Sequence, residues 1–472
     1  MTGAPAKLER LAGFGGAQTG VSRVLRPRSS DELEEIFQRE RGAIRSLALR
    51  GAGRSYGDAA LNSGGAVLDL TALDRIESWD PERGVAEVQP GVTIDRLWRR
   101  TLPEGYWPAV VPGTSLATLG GIVAMNAHGK NCFRAGPTGD QIEELELLLP
   151  SGERLRCGPE HNSEIFSGVV GGFGMLGCIT RIRLRLKRVH SGYLNVRAIS
   201  VGSIAEMVEA FDVHVGDADY LVGWCDGLAP ESAIGRGVIH RADYLAEGED
   251  PDPASSLRPE AQDLPPRMLG VLPRSELWRV LRLLQTRPAM RWVNFGKQLS
   301  HRLDPRAAHR WRHSEFGFLL DYAPGFNRSY GRAGMIQVQP FVPRDGAVDA
   351  FDEILRLARR RGLPPHLVVF KKHRADRFLL SHGLDGYSLA MDFPARRRSE
   401  LWALAREIQD LAIDAGGRFY FAKDSTLTPD QLARSYPAEN LRRFDELRRK
   451  CDPEGWLQTD LARRVWPELF SS

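Results

Sequence analysis

Residues 50–65 read RGAGRSYGDAALNSGG, a run crowded with glycine and almost without bulk. Glycine loses more conformational entropy on folding than any other residue, so Gly51, Gly53 and Gly57 need a compensating reason. A ligand lying against the backbone supplies one. Upstream, IRSLALR (44–50) is an apolar strand feeding directly into the cluster, and SSDELEEIFQRE (29–40) opens with Ser29 and Glu32 in capping-box spacing, which predicts a short helix. Downstream, AVLDLTAL (66–73) and GVAEVQPG (84–91) are short strands closed by turn residues, and VTIDRLWRRTL (92–102) has helical spacing.

Three further segments make similar backbone demands. VVPGTSLATLGGIVAMNAHGKN (110–131) is a second loop of glycine, threonine and small residues. GGFGMLGCITRIRLRLKRV (171–189) carries Gly172, Gly174 and Gly177 in GxGxxG spacing, but a dinucleotide fold needs a strand before the glycines and a helix after them. Here Ile182, Leu184 and Leu186 alternate with Arg181, Arg183 and Arg185, so a half-buried strand follows instead. RFYFAKDS (418–425) reads as a buried strand running into a turn, after SELWALAREIQDLAIDAGG (399–417), a helix ending at a glycine cap. Four such segments, spread over the chain, suit one large cofactor enclosed by several loops whose amides face its phosphates.

The chain as a whole sets bounds on this reading. At 472 residues it exceeds a single core, so at least two domains are expected. Sixty-four basic against 60 acidic residues leave a net charge of +4, too balanced to argue for nucleic acid. No window suggests a membrane span and the N-terminus lacks a signal-peptide core, which makes a cytoplasmic chain the default. Cys132, Cys157, Cys178, Cys225 and Cys451 are scattered, odd in number and never paired as CxxC, so neither disulfides nor a metal site is expected. The Pro-rich, acidic stretch AEGEDPDPASSLRPEAQDLPPR (246–267) is expected to be a mobile loop.

RGAGRSYGD, PGTSLATLGGIVAMNAHGKN, GGFGMLG, VFK, MDFP and YFAKDS, in that order, resemble the decaprenylphosphoryl-β-D-ribose 2'-oxidase family, flavoenzymes of the vanillyl-alcohol oxidase fold. The resemblance runs from LAGFGG (11–16) to CDPEGWLQTDLARR (451–464). It implies an α+β chain. A PCMH-type FAD-binding domain would span 1–190 and a substrate or cap domain on an antiparallel sheet 191–410, with 411–472 returning to the FAD domain. It also implies that the first cluster wraps the FAD pyrophosphate through Arg50, Gly51, Gly53, Arg54, Ser55, Tyr56 and Gly57. Gly113, Thr118, Gly120, Gly121, Asn126, Ala127 and His128 would hold the other side, with Ile179 and Tyr420 completing the pocket. The first loop has no histidine for covalent attachment, so non-covalent FAD is expected.

The implied reaction is oxidation of a ribose 2'-hydroxyl on a polyprenylphosphoryl sugar, hydride passing to flavin N5. Lys423 matches the family's active-site lysine, and His128 is expected on the flavin or substrate side. Lys371 and Lys130 are candidates for the sugar phosphate, whereas Lys372 reads as a surface charge. Gln337 and Gln339, two apart in GMIQVQPF, would read sugar hydroxyls from one face; Tyr330 and Trp224 are candidate walls. Ala390 stands where relatives carry an active-site cysteine, and Ser388 replaces an expected amide, which puts the identity of the sugar in doubt. An FAD-dependent oxidase or dehydrogenase of a soluble sugar, alditol or aldonolactone, or a flavin-binding scaffold without turnover, therefore remain alternatives. The resemblance further implies a short-chain reductase acting on the keto product. Basic runs HRLDPRAAHRWRH (301–313) and PARRRSE (394–400) suggest peripheral contact with anionic head groups at the inner membrane face.

Overall fold

The computed structural model describes residues 7–268, 270–303 and 309–470. The apolar run ahead of the first glycine cluster forms the strand Leu47–Arg50, paired in parallel with Ala66–Asp69, which pairs in parallel with Thr19–Leu25; Leu8–Ala12 closes the edge antiparallel. Ser29 caps the helix Ser30–Glu40 by accepting from the Glu32 amide at 3.1 Å, and the apolar side of that helix, Leu33, Ile36 and Phe37, buries against this sheet.

A second, antiparallel sheet of five strands follows, in the order Ile76–Asp80, Val85–Val88, Cys178–Arg185, Ile142–Leu148, Arg154–Cys157. Its central strand shows why the GxGxxG reading fails. Ile182 and Leu184 point into the core, while Arg181 and Arg183 meet Glu87 and Glu143 on the outer face at 2.8 and 3.1 Å. Period two, rather than a helix, follows the glycines.

The third sheet is antiparallel throughout and places the site. Its order is His309–Arg312, Tyr193–Val201, Gly237–Tyr244, Tyr220–Cys225, Leu367–His373, Gly386–Pro394, Pro340–Pro343, Arg418–Phe419, with Met335–Val338 also on Gly386–Pro394. Helices Ile204–His214, Ala347–Arg360 and Arg398–Asp414 cover one face, with Phe211, Phe351, Leu401 and Ile408 completely buried. The helix Arg398–Asp414 stops where Gly416 takes φ +78°, a left-handed residue that a side chain would strain. The sheet-and-helix composition is α+β.

The C-terminal segment stitches into the first sheet. Leu47 N–H donates to Trp456 O at 2.8 Å, and Gln458 N–H donates to Leu47 O at 2.9 Å.

Residues 246–267 differ from expectation. Rather than a mobile loop they fold as two short turns, Pro253–Ser256 and Pro259–Gln262, fixed from below. Asp250 accepts from Ser191 and from Ser256 (2.6 Å), Ser256 Oγ accepts from the Gly192 amide (2.9 Å), and Gln262 Nε2 donates to Gly192 O (2.9 Å). Composition registers the scarcity of apolar residues; it does not register buried polar anchors. The five cysteines are all buried and unpaired.

Candidate active site

A cavity of about 650 Å³ runs between the glycine loops and the inner face of the large sheet. Its first wall is the cradle. A Cβ on Gly51 would stand 2.0 Å from Thr118 Oγ1, and Gly53 has φ +64° with a Cβ position 2.2 Å from the Arg50 guanidinium, so both positions need glycine. Arg50 is tied to Ala12 O and Ala60 O at 3.0 and 3.1 Å. Arg54 lines the same wall with a buried Nε that has no hydrogen-bond partner. Ser55, Tyr56, Gly113, Thr118, Gly120, Gly121, Ala127, Ile179 and Tyr420 line it too. Asp321 holds the second loop in place, accepting from Thr114 Oγ1 at 2.6 Å and from Ser115 N and Oγ at 2.7 Å each.

Two of the expected cofactor contacts sit outside the wall. Gly57 is jammed against the backbone of the 424 turn, where a Cβ would lie 1.9 Å from Asp424 O. Asn126 is fully buried, accepting from the Gly139 amide (3.0 Å) and donating to Ser381 Oγ (3.0 Å), so it braces the loop.

The opposite wall is one face of three adjacent strands. Gly386–Pro394 presents Ser388, Ala390 and Asp392; across the ladder Lys371 pairs with Ser388, Val369 with Ala390, and Leu367 and Gln337 with Asp392. Period two brings every second residue to this face while Val368, Phe370, Leu389 and Met391 go to the core. Ala390, Gln337, Gln339 and Lys371 reach the cavity. Ser388 lies one layer behind: its Oγ accepts from Gln339 Nε2 at 3.0 Å and is 2.8 Å from His373 Nε2. Gln339 Nε2 is also 3.1 Å from His128 Nε2, whose Nδ1 is 3.3 Å from Lys371 Nζ. His128, His373 and His382 pack within about 6.5 Å of one another, and burial among cations keeps all three well below the ordinary histidine range, hence neutral. Burial also lowers the Lys371 amine to about 8.

Lys423 follows the two-residue strand Arg418–Phe419 in a turn of 3-10 helix, Phe421–Lys423, where a longer strand had been expected. Its Nζ sits 3.6 Å above the centre of the Tyr56 ring and faces the cavity. Desolvation pulls its pKa down, opposed by the attraction of Asp392 and aided by the repulsion of Lys371. Asp392 is itself buried completely, accepts from Gln337 Nε2, and has its carboxyl pushed up by desolvation.

The remaining expectations fall in different places. Trp224 lines an apolar arm of the cavity with Leu281, Trp311, Phe316 and Leu320. Tyr330 stands behind the wall, edge-on to Phe326 at 5.5 Å. Lys130 borders the cavity, but its amine donates to Phe316 O and to Gly317 O (3.0 Å). Lys372 is no surface charge: it is buried, pairing with Asp212 at 3.1 Å. Of the two basic runs, part of 301–313 lies outside the described residues, and in 394–400 Arg397 pairs with Glu400 while Arg398 donates to Ala17 O at 2.5 Å. The sequence reading missed Asp392, His373 and Lys297, which lines the arm with its cation 4.4 Å from the Trp224 ring. Asp392 is the one charged residue in the fully buried part of the strand GYSLAMDFP, and that was the available signal for it.

Known proteins share this arrangement of sequence. The FAD binding domain family matches residues 21–158, and the D-arabinono-1,4-lactone oxidase family matches residues 341–465. The decaprenylphosphoryl-beta-D-ribose oxidase of Mycolicibacterium smegmatis is 32% identical, over 98% of this chain and 98% of its own length. The chain belongs to the decaprenylphosphoryl-β-D-ribose oxidase family. An uncharacterized protein of Streptomyces coelicolor is 28% identical over 79% of this chain and all of its own. Cytokinin dehydrogenase 2 of Arabidopsis thaliana is 31% identical over 34% of this chain and 33% of its own.

As a member of the decaprenylphosphoryl-β-D-ribose oxidase family the protein is an FAD-dependent oxidoreductase. The cradle fits the cofactor on its own terms: Gly51 and Gly53 admit nothing larger than hydrogen, and the orphaned Arg54 Nε is a buried donor beside them, suited to a diphosphate.

Proposed function

We propose that this protein oxidises the 2'-hydroxyl of a polyprenylphosphoryl-β-D-ribose to the 2'-ketone. One observation carries the reading: the wall bearing Lys423, Gln337, Gln339 and Lys371 continues into the apolar arm of Trp224, Trp311, Leu281 and Leu320, which a free sugar would leave unfilled. The relative from Mycolicibacterium smegmatis bears the corresponding name.

Bound FAD supplies the two-electron acceptor for the hydride leaving the sugar carbon. The chain's own residues bind, orient and stabilise. Gln337 and Gln339 align the ribose hydroxyls, Gln339 being held by Ser388 and Gln337 by Asp392. Lys423 Nζ holds positive charge beside the oxygen as its proton leaves to water, in a site dry enough for that charge to count. His128, neutral, accepts from Lys371 Nζ at Nδ1 and packs its Nε2 edge against the Gln339 amide, which positions both side chains. Lys371 and Lys297 are the cations assigned to the phosphate; Lys130, spent on two carbonyls, is assigned to holding the end of the helix His313–Gly317. Tyr330 and Asn126 support the cradle from behind.

FAD is held without a covalent bond in this reading, because the first loop offers Arg54 and Ser55 and both nitrogens of His128 are engaged. Acid precipitation is expected to release yellow flavin into the supernatant, and flavin retained in the pellet would contradict it. The ketone is then consumed by a short-chain reductase, giving the arabinose epimer, at a bilayer surface where the polyprenyl tail resides.

A second reading, oxidation of a soluble sugar or aldonolactone, is favoured by the match to the D-arabinono-1,4-lactone oxidase family. The two separate under anaerobic conditions by following flavin absorbance. Bleaching by polyprenylphosphoryl ribose and not by an alditol or lactone is expected; the reverse would transfer the protein to the second reading.

A further inference from the structure

Among the described residues, six of the eleven large apolar side chains that remain exposed fall between Val271 and Phe295. Val271, Leu283 and Trp292 are 76, 78 and 75% exposed, and Val280, Val293 and Phe295 accompany them. Such clustering on a folded surface marks an interaction site. The segment consists largely of the helices Leu277–Leu284 and Arg287–Leu303.

Both helices are two-sided. Leu281 and Lys297 face into the apolar arm of the cavity, and Asn294 is buried with its Nδ2 donating to Asp226 at 2.6 Å. Leu283, Trp292 and Phe295 face out. Between Arg267 and Lys297 the sequence carries Arg267, Arg274, Arg279, Arg282, Arg287, Arg291 and Lys297 against a single acidic residue, Glu276. Arg279, Arg282, Arg287 and Arg291 are exposed beside the apolar side chains. Leu319 lines the cavity while remaining 49% exposed, so the arm reaches the surface beside this helix pair.

We propose that residues 271–295 dock the protein on an anionic bilayer, Leu283, Trp292 and Phe295 entering the interface while the arginines meet lipid phosphates. Apolar side chains bordered by arginine, on helices that lie along a surface, are the pattern of an interfacial anchor. Each arginine near an anionic surface adds to the attraction. A protein partner or second copy would not need so one-sided a charge. The orientation also gives the site its supply line: the mouth at Leu319 would open onto the membrane, and a prenyl tail would pass from lipid to the arm without crossing water. That last step rests on the substrate reading above; the docking itself does not.

The test uses the FAD-loaded full chain with phosphatidylglycerol-containing vesicles and with pure phosphatidylcholine vesicles, separated by flotation. Binding to the anionic vesicles is expected, falling about tenfold or more in the variant Leu283→Ser, Trp292→Ser, Phe295→Ser. An Arg282→Glu, Arg291→Glu variant should lose the preference for anionic lipid. Both variants should keep the wild-type melting temperature and flavin spectrum, since every altered side chain is exposed. Equal vesicle binding by wild type and the triple variant, or none by wild type, overturns the proposal. So does a wild-type dimer that the triple substitution dissolves, which would assign the patch to a second copy. If vesicles bind through this patch while lipid-linked ribose fails to bleach the flavin, docking stands and the substrate reading falls.

Discussion

At Lys423, burial and charge act against each other. Desolvation favours the neutral amine, while Asp392 on the neighbouring strand favours the ammonium. Lys423→Met should therefore keep FAD, because the cradle is built elsewhere, yet lower turnover by about 10²–10³-fold, the usual cost of removing one fixed donor to a developing anion; steady-state rates on the FAD-replete variant check it. Asp392→Asn removes the attraction that raises the Lys423 pKa, so the alkaline limb of the kcat/KM profile should move to lower pH while the acid limb stays. A profile that does not move would detach Asp392 from the lysine's charge state. Lys423 was legible in the sequence through YFAKDS, and Gln337 and Gln339 through their spacing. Ser388 and Tyr330 were placed one layer too far forward, because a strand's periodicity gives the face a side chain shares and says nothing of how deep it sits.

Among the elements, the short helix Asp460–Val465 does more than its length suggests. Arg464 on it meets Asp58, the residue after Gly57 in the first glycine cluster, and Asp424, next to Lys423, at 2.8 Å each, and donates to Leu427 O at 2.6 Å. Arg464→Met would leave two buried carboxylates without their cation, which costs about 3–5 kcal/mol. Thermal melts should show the loss, and FAD should dissociate more readily, because the same bond ties the cradle to the lysine turn. Nothing in LARR distinguishes Arg464 from Arg463; only the tertiary fold brings Asp58 and Asp424 to it. The 246–267 strap was misread for the same reason, its order depending on Ser191, Gly192 and Ser314, far away in sequence.

For the whole molecule, buried histidines set the acid limit. His313 and His366 are pulled down to about 4 and His382 to about 3 by burial. The unfolded chain protonates these rings near pH 6.5 and the folded one resists, so the unfolded state binds more protons between those values. Stability is thus complete above pH 6.5 and declines from there toward about pH 3, by up to ~1.4 kcal/mol per pH unit for each ring. Melting temperature should fall across that window, and His313→Asn should make the fall shallower; an unchanged slope would remove His313 from the account. At this scale the glycine segments pointed to one enclosed cofactor and alternation to the strand that follows Gly177, while the antiparallel sheet of the substrate domain came from the family resemblance alone. Nothing in the sequence marked the neutral histidine group, since His373 and His382 come to His128 only when the sheet closes.

The stitch between Leu47 and residues 456–458, together with the Arg464 clasp, has a consequence for synthesis. A ribosome delivers the first glycine cluster early, but the partners that fix it emerge some four hundred residues later. Until residues 456–464 have emerged, Leu47–Arg50 waits with an edge unpaired and the cradle without its clasp, so flavin is locked in late in synthesis. A chain interrupted before Asp460–Val465 would carry the whole first glycine cluster and yet lack the Arg464 clasp that holds it against the lysine turn.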